Sequence, residues 1–289
     1  MTRVVVGVDG SADADAAASW AAALGGPAGS VRLVRVVEAD DPRSSPDVAS
    51  SPGQADPGGP ERSHEVRPGS GDIARDLLDA TTTFGGDVVV VGARGAGSGR
   101  RLGAGPTTEA LVLHGSVPVA VVRDGATPAL QPGATVVVGV GYGAATTSAL
   151  HWVASVAAPL GLRVRLVHAV GLPPLSAEGL TEVLAHVIDP GARRRWVEED
   201  LDDAAAELRR AAGEQVEVDW HAPSGAAGLA LLREAEQAAL LVVGRHRGVL
   251  GERVVPLSTQ LLMTRSSCPV VIVPAPDEPP AHGAHATDR

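Results

Sequence analysis

Val4-Val5-Val6-Gly7-Val8-Asp9-Gly10-Ser11 opens the chain, and Val136-Val137-Val138-Gly139-Val140-Gly141-Tyr142-Gly143 repeats it in the second half. A short, β-branched, wholly apolar run ending in glycine reads as a strand buried on both faces, as in a parallel sheet. Three more landmarks recur in the same order. Residues 31–37 (VRLVRVV) return as 164–170 (VRLVHAV), and 88–92 (VVVVG) as 240–244 (LLVVG). Val117-Pro118-Val119 returns as Cys268-Pro269-Val270. The chain is therefore a duplicated domain, and its chemistry is to be sought where the copies differ. The first such difference is Asp9 against Gly141.

Outward from these strands, helices fill the intervals. Ser11 is an N-cap candidate with Asp13 and Asp15 in the first turn, and Gly25-Gly26 ends that helix. A counterpart runs over 146–160. Helices over 72–82 and 225–238 feed the strands that end in Gly92 and Gly244, and another runs over 107–114. A further strand is expected near 63–67 and near 216–221. Each copy then reads β-α-β-(α)-β-α-β-α-β, an α/β layered sheet. Between its second and third strands the second copy carries a short apolar helix around 180–188 and a long charged one over 192–212, separated by Pro190-Gly191. The first copy has a Pro/Ser/Gly/Asp-rich loop over 40–62 there. The expected division is a first domain over 1–124, a linker over 125–134, a second domain over 135–275, and a disordered tail over 276–289.

A length of 289 residues suits two such domains. The net charge of −10 argues against electrostatic binding to nucleic acid or an anionic membrane. No apolar run reaches the roughly eighteen residues of a membrane span. A strand beginning at Arg3-Val4 leaves no room for a signal peptide. The single cysteine, Cys268, fits a reducing cytoplasm. Lysine is absent from the sequence, so any phosphate grip must use arginines and backbone N–H groups, and a Walker-type NTPase is excluded.

The densest chemical signal is Gly92-Ala93-Arg94-Gly95-Ala96-Gly97-Ser98-Gly99-Arg100-Arg101-Leu102-Gly103-Ala104-Gly105-Pro106-Thr107. It follows a buried strand and precedes a helix. Glycines bring backbone N–H groups close to an anion, the helix N-terminus adds a favourable dipole, and Arg94, Arg100 and Arg101 offer charge-assisted bonds. If the first and fourth strands are neighbours, Asp9 and this loop face one crevice beyond the strand C-termini. There the Asp9 carboxylate can accept hydrogen bonds from an adenine amino group or a ribose hydroxyl.

The spacing Gly92-x2-Gly95-x9-Gly105, after VGVDGS and before VPVAVV, resembles the universal stress protein family. The second copy resembles it too, as in the tandem two-domain form common in actinobacteria. The resemblance implies two five-stranded parallel sheets of order 3-2-1-4-5, each in a Rossmann-like three-layer sandwich of the adenine-nucleotide alpha-hydrolase type. It also implies pairing through the last strands of the two domains, and ATP binding in many members, with Mg2+ as a companion of the nucleotide. Carried over to this chain, the implied contacts are Asp9 at the opening motif, Val36 on the second strand, and Gly92, Gly95, Gly105 and the pair Pro106-Thr107 around the phosphates; Gly7 in the opening motif and Arg94 in the loop join them as candidate site residues.

Pro106 departs from the family pattern, which has Ser or Thr there and so a hydroxyl and an N–H that proline lacks. Losing one charge-assisted bond costs roughly 1.5–3 kcal/mol, about 10- to 100-fold in affinity. Thr107 and Thr108 can replace it in part, because proline at the first helical position leaves their N–H groups available. The second copy is further degraded: Gly141 replaces the aspartate, Arg247 takes the place of the second motif glycine, and Pro256 that of the last.

Plainer readings accompany several residues. Asp9 can cap a local turn beside Gly10, and Arg100-Arg101 can be a solvated pair. Arg193-Arg194-Arg195 ahead of Glu198-Glu199-Asp200 suits i,i+4 pairing on an exposed helix. Trp20 and Trp152 occupy matching places and read as core. Cys268 reads as a small apolar residue, His114 as a helix C-terminal cation, and His282 with His285 as part of the tail. No catalytic or metal-ligating constellation stands out. Three functions remain open: a cytoplasmic stress-response module whose adenine nucleotide orders the 95–105 loop and biases a partner-binding or dimeric state; a nucleotide-independent scaffold with two pseudo-sites; and a slow ATPase.

Overall fold

The computed structural model describes residues 1–37, 59–95, 103–125, 130–141, 143–170, 190–245 and 255–276. The first half runs β1 (Arg3–Gly7), α1 (Ala12–Gly25), β2 (Ser30–Val37), β3 (Glu61–Pro68), α2 (Ile73–Phe84), β4 (Val88–Gly92), α3 (Pro106–His114) and β5 (Val119–Val122). The second runs β6 (Thr135–Gly139), α4 (Ala144–Leu160), β7 (Arg163–Val167), α5 (Pro190–Ala212), β8 (Val218–His221), α6 (Ala227–Ala235), β9 (Leu240–Arg245), α7 (Leu257–Arg265) and β10 (Val270–Pro274).

Strand order is β3-β2-β1-β4-β5-β10-β9-β6-β7-β8. Each half thus has the order 3-2-1-4-5 with parallel neighbours, and the two halves share one ten-stranded sheet through an antiparallel β5–β10 pair centred on Ala120 and Val271. The reason for apolarity without alternation is visible in β1. Val4 and Val6 face a core built with Trp20 and Leu24 of α1 and with residues of α4 and α5. Val5 faces the opposite core, with Leu77 of α2, Leu111 of α3 and Met263 of α7. Both faces of β1 are covered, so its interior positions are apolar on both sides, whereas β3 at the sheet edge is largely polar. Each core draws residues from both halves, so packing as well as hydrogen bonding joins them.

Local signals behave as their chemistry dictates. The Ser11 hydroxyl accepts the Ala14 N–H at 3.2 Å, and Gly26 caps α1. Asp72 caps α2 through the Arg75 N–H at 3.1 Å. Trp20 is buried and Trp152 packs against the same core. Arg194 pairs with Glu198 at 2.9 Å, four residues along α5.

Three expectations change. The long charged helix begins before 192: Pro190 and Gly191 lie in the first turn of α5, where proline's fixed φ and missing N–H are tolerated. The segment read as loop over 40–62 ends earlier, because Glu61 and Arg62 pair with Ser30 and Val31 as the start of β3. The helix expected over 225–238 is α6, confined to 227–235, with Gly225 at positive φ before it. Residues 38–58, the helix expected around 180–188 and the tail beyond 276 lie outside the described residues. Among the described residues no helix is long and apolar enough to cross a membrane.

Candidate functional site

Order 3-2-1-4-5 makes the gap between β1 and β4 the place where the chain's direction of winding reverses, and a crevice opens there beyond the strand C-termini. A cavity of about 360 Å³ occupies it. Its rim and floor come from Gly7, Asp9 and Ser11 after β1 and from Gly92, Arg94 and Gly95 after β4. Val34 and Val36 of β2 with Ile73 and Leu77 of α2 form an apolar wall, and Gly105, Pro106, Thr107 and Thr108 close the far side. All eight residues singled out from sequence (Gly7, Asp9, Val36, Gly92, Arg94, Gly95, Gly105 and Thr107) line this one space.

Asp9 accepts the Ser11 N–H at 3.0 Å, as a turn-forming acid does, and yet stays exposed at the cavity edge. Its other oxygen lies against Gly95, where an added Cβ would come within 2.7 Å of it. The opening motif and the glycine loop are therefore in direct apposition. At Gly92 the demand is harder, because a Cβ would meet Asp13 Cβ at 2.8 Å and the Ala14 nitrogen at 3.0 Å. Glycine lets β4 end directly on the first turn of α1. Gly105 differs: nothing approaches its missing Cβ closer than 3.7 Å, and its backbone is extended.

The base of the loop is tied from several sides. The Thr108 hydroxyl donates to the Gly92 carbonyl at 2.9 Å, and the Gly105 N–H to that of Ala93 at 2.8 Å. The Ser11 hydroxyl reaches the Arg94 carbonyl at 3.4 Å. Asp13, 5% exposed, accepts the Arg94 N–H at 3.0 Å and the Asp124 N–H at 2.9 Å. It also stands 3.6 Å from the Arg94 guanidinium. Arg94 is thus at the site, with its charge shared with a buried carboxylate. Sequence reading took Asp13 only for a first-turn acid. The copies differ here, Asp13 aligning with Ala145, but the difference alone does not name backbone partners 81 and 111 residues away.

Proline at the first position of α3 has the expected consequence. The first intrahelical bond runs from the Glu109 N–H to the Gly105 carbonyl at 3.0 Å, so the helix leaves the Thr107 and Thr108 N–H groups to other acceptors. Arg100, Arg101, His246 and Arg247 lie outside the described residues. In the second half the Gly141 N–H is taken by the Thr146 hydroxyl at 3.0 Å, and Gly141 itself has no carboxylate to set where Asp9 stands in the first half. Cys268 is buried, and burial pushes its thiol up from 9.0 to about 11, which suits a packing residue better than a nucleophile. No group of three metal-ligating side chains gathers among the described residues.

The family described as Universal stress protein family matches residues 1–123 and 134–274. No curated protein matches the chain. Among solved structures, a universal stress protein from Archaeoglobus fulgidus DSM 4304 is 18% identical, with 95% of this chain and 97% of that one aligned at a TM-score of 0.58. A Pseudomonas aeruginosa PAO1 protein of unknown function is 12% identical over 95% and 93% of the two chains, at a TM-score of 0.57. A universal stress protein in complex with cAMP is 21% identical, with 50% of this chain and 100% of that one aligned at a TM-score of 0.37.

Proposed function

The chain belongs to the universal stress protein family, and from that premise we propose that it is a cytoplasmic stress-response module whose N-terminal half takes an adenine nucleotide, ATP or a close relative, into the cavity between β1 and β4. The observation that supports this reading most is the convergence of the carried-over contact residues on one space of nucleoside size. In it, Asp9 is the acceptor for a ribose hydroxyl or the adenine amino group, and Val36 with Leu77 supplies the apolar face for the base. Gly105 and the Thr107 and Thr108 N–H groups stand at the phosphate end, where the α3 dipole favours an anion. Any Mg2+ would come with the phosphates. Nucleotide then acts by population shift, favouring one partner-binding or self-associated state over another.

Affinity is expected to be low, because Pro106 removes a donor and Arg94 divides its charge between ligand and Asp13. Calorimetric titration with ATP tests the reading: a saturable isotherm supports it, and no saturation at millimolar nucleotide ends it. Pro106 also favours a second reading, a scaffold acting without nucleotide through two pseudo-sites. Adenine nucleotide retained on the native protein and seen by mass spectrometry counts against that alternative.

A further inference from the structure

The cavity is closed at one end by α3, and the other end of α3 is held by the opposite half of the molecule. Arg245, the last residue of β9, donates from Nη1 to the Val112 carbonyl at 2.8 Å, the Leu113 carbonyl at 3.3 Å and the Gly115 carbonyl at 2.8 Å. Those are the carbonyls that a helix C-terminus leaves without intrahelical partners, and a cation is favoured beside them by the helix dipole. The helix is nine residues long, roughly 13 Å from end to end, and this grip lies at the end opposite Pro106.

The two copies differ at this position. In the first half the residue after the motif glycine is Ala93, buried with α2 and α3. In the second half the corresponding residue after Gly244 is Arg245. The substitution lies inside the degraded glycine motif of the second half, and its side chain reaches into the first half.

We propose that Arg245 is a positioning residue for the first-half cavity. By fixing the carboxyl end of α3 it sets where the Thr107 and Thr108 N–H groups stand, so the second half tunes ligand binding in the first. The effect on affinity rests on the nucleotide reading above; the effect on α3 does not. A short helix tied to the β4 end by Thr108 and Gly105, and to the other half by Arg245, transmits a shift at one end to the other.

An internal control exists. Arg123, just past β5, donates to the Ser266 carbonyl at the end of α7 at 3.3 Å, a contact between halves in the opposite direction, and this bond goes to α7 rather than α3. Arg245→Gln, Arg245→Lys and Arg123→Gln are compared with the unaltered protein in ATP titrations and in amide hydrogen exchange of residues 105–109 without ligand. Weakening of ATP binding by about fivefold or more in Arg245→Gln, partial recovery in Arg245→Lys and no change in Arg123→Gln support the proposal. ATP binding of Arg245→Gln equal to that of the unaltered protein overturns it and leaves the nucleotide reading standing, as does equal weakening in Arg245→Gln and Arg123→Gln. If the unaltered protein binds no ATP, the nucleotide reading fails, and exchange decides the rest. Faster exchange at 105–109 in Arg245→Gln alone upholds the positioning role, and unchanged exchange overturns it.

Discussion

Asp13 and Arg94 meet backbone to side chain: the buried carboxylate accepts the Arg94 N–H at 3.0 Å while its second oxygen accepts that of Asp124 at 2.9 Å. Arg94 follows β4 and Asp124 follows β5, so one side chain on α1 holds the ends of two adjacent strands. The candidate cavity is framed by the first of those ends. A carboxylate suits the task because it is acceptor-only and both partners are donors.

Replacing Asp13 should therefore cost more than a first-turn acid would. Asp13→Ala leaves two N–H groups without their acceptor and is expected to lower stability by roughly 2–4 kcal/mol. Asp13→Asn keeps one accepting oxygen but turns a donor toward the other N–H, so it should fall between. Urea unfolding with an unchanged m-value measures both. A loss under about 0.5 kcal/mol in Asp13→Ala would show that water replaces the carboxylate at no cost.

The three motif glycines should respond unequally. Gly92→Ala pushes a methyl into Asp13 and the Ala14 backbone, which cannot yield locally, and should destabilise by roughly 1–3 kcal/mol. Gly95→Ala meets only the end of the Asp9 side chain, so it should leave stability nearly intact while displacing Asp9 and weakening nucleotide binding. Gly105→Ala has room and a permissible extended backbone, and should change stability by less than about 0.5 kcal/mol. Paired thermal-melt and titration measurements separate the three. A Gly92→Ala variant as stable as Gly105→Ala would refute the steric assignment.

Cys268 supplies a pH dependence. Its thiol is raised in the folded chain to about 11, chiefly by burial, from an ordinary 9.0. Below pH 9 both folded and unfolded chains hold the proton, and the contribution to stability is complete. As pH rises from 9 through 11 the unfolded chain ionises first, and stability falls by roughly 1.4 kcal/mol per unit. Cys268→Ala should flatten that part of the curve. Equal slopes in the two proteins would mean that the thiol ionises in place.

The strands were legible from their two-sided apolarity, whereas the strand order, and with it the crevice that eight of the singled-out residues line, came through the family resemblance carried by the glycine spacing. Two-sided burial makes strands apolar, and repetition fixes which landmarks correspond. Asp13 was not legible as a tie, because its partners lie 81 and 111 residues away and are backbone groups, which have no identity in a sequence. Arg245 escaped for the same reason: its acceptors are carbonyls 130 to 133 residues distant, in the other half. The start of α5 falls two residues before the expected 192, because a Pro-Gly pair that breaks a helix from within can also begin one.

Pro106 offers the most direct test of the cavity. Its ring stands at the first position of α3 and lines the space, yet it presents neither an N–H nor a hydroxyl to a ligand. Pro106→Ser restores both at a position where serine is compatible with a helix start. If the phosphate end of the ligand lies here, affinity for ATP should rise about 10- to 100-fold, the equivalent of one charge-assisted hydrogen bond. Adenosine, which lacks phosphates, should bind the two proteins alike. The comparison is thus internally controlled: a gain for ATP alone places the phosphates against α3. An equal gain for adenosine would instead mean that proline had been limiting the shape of the cavity, and no gain for either would put the phosphates elsewhere.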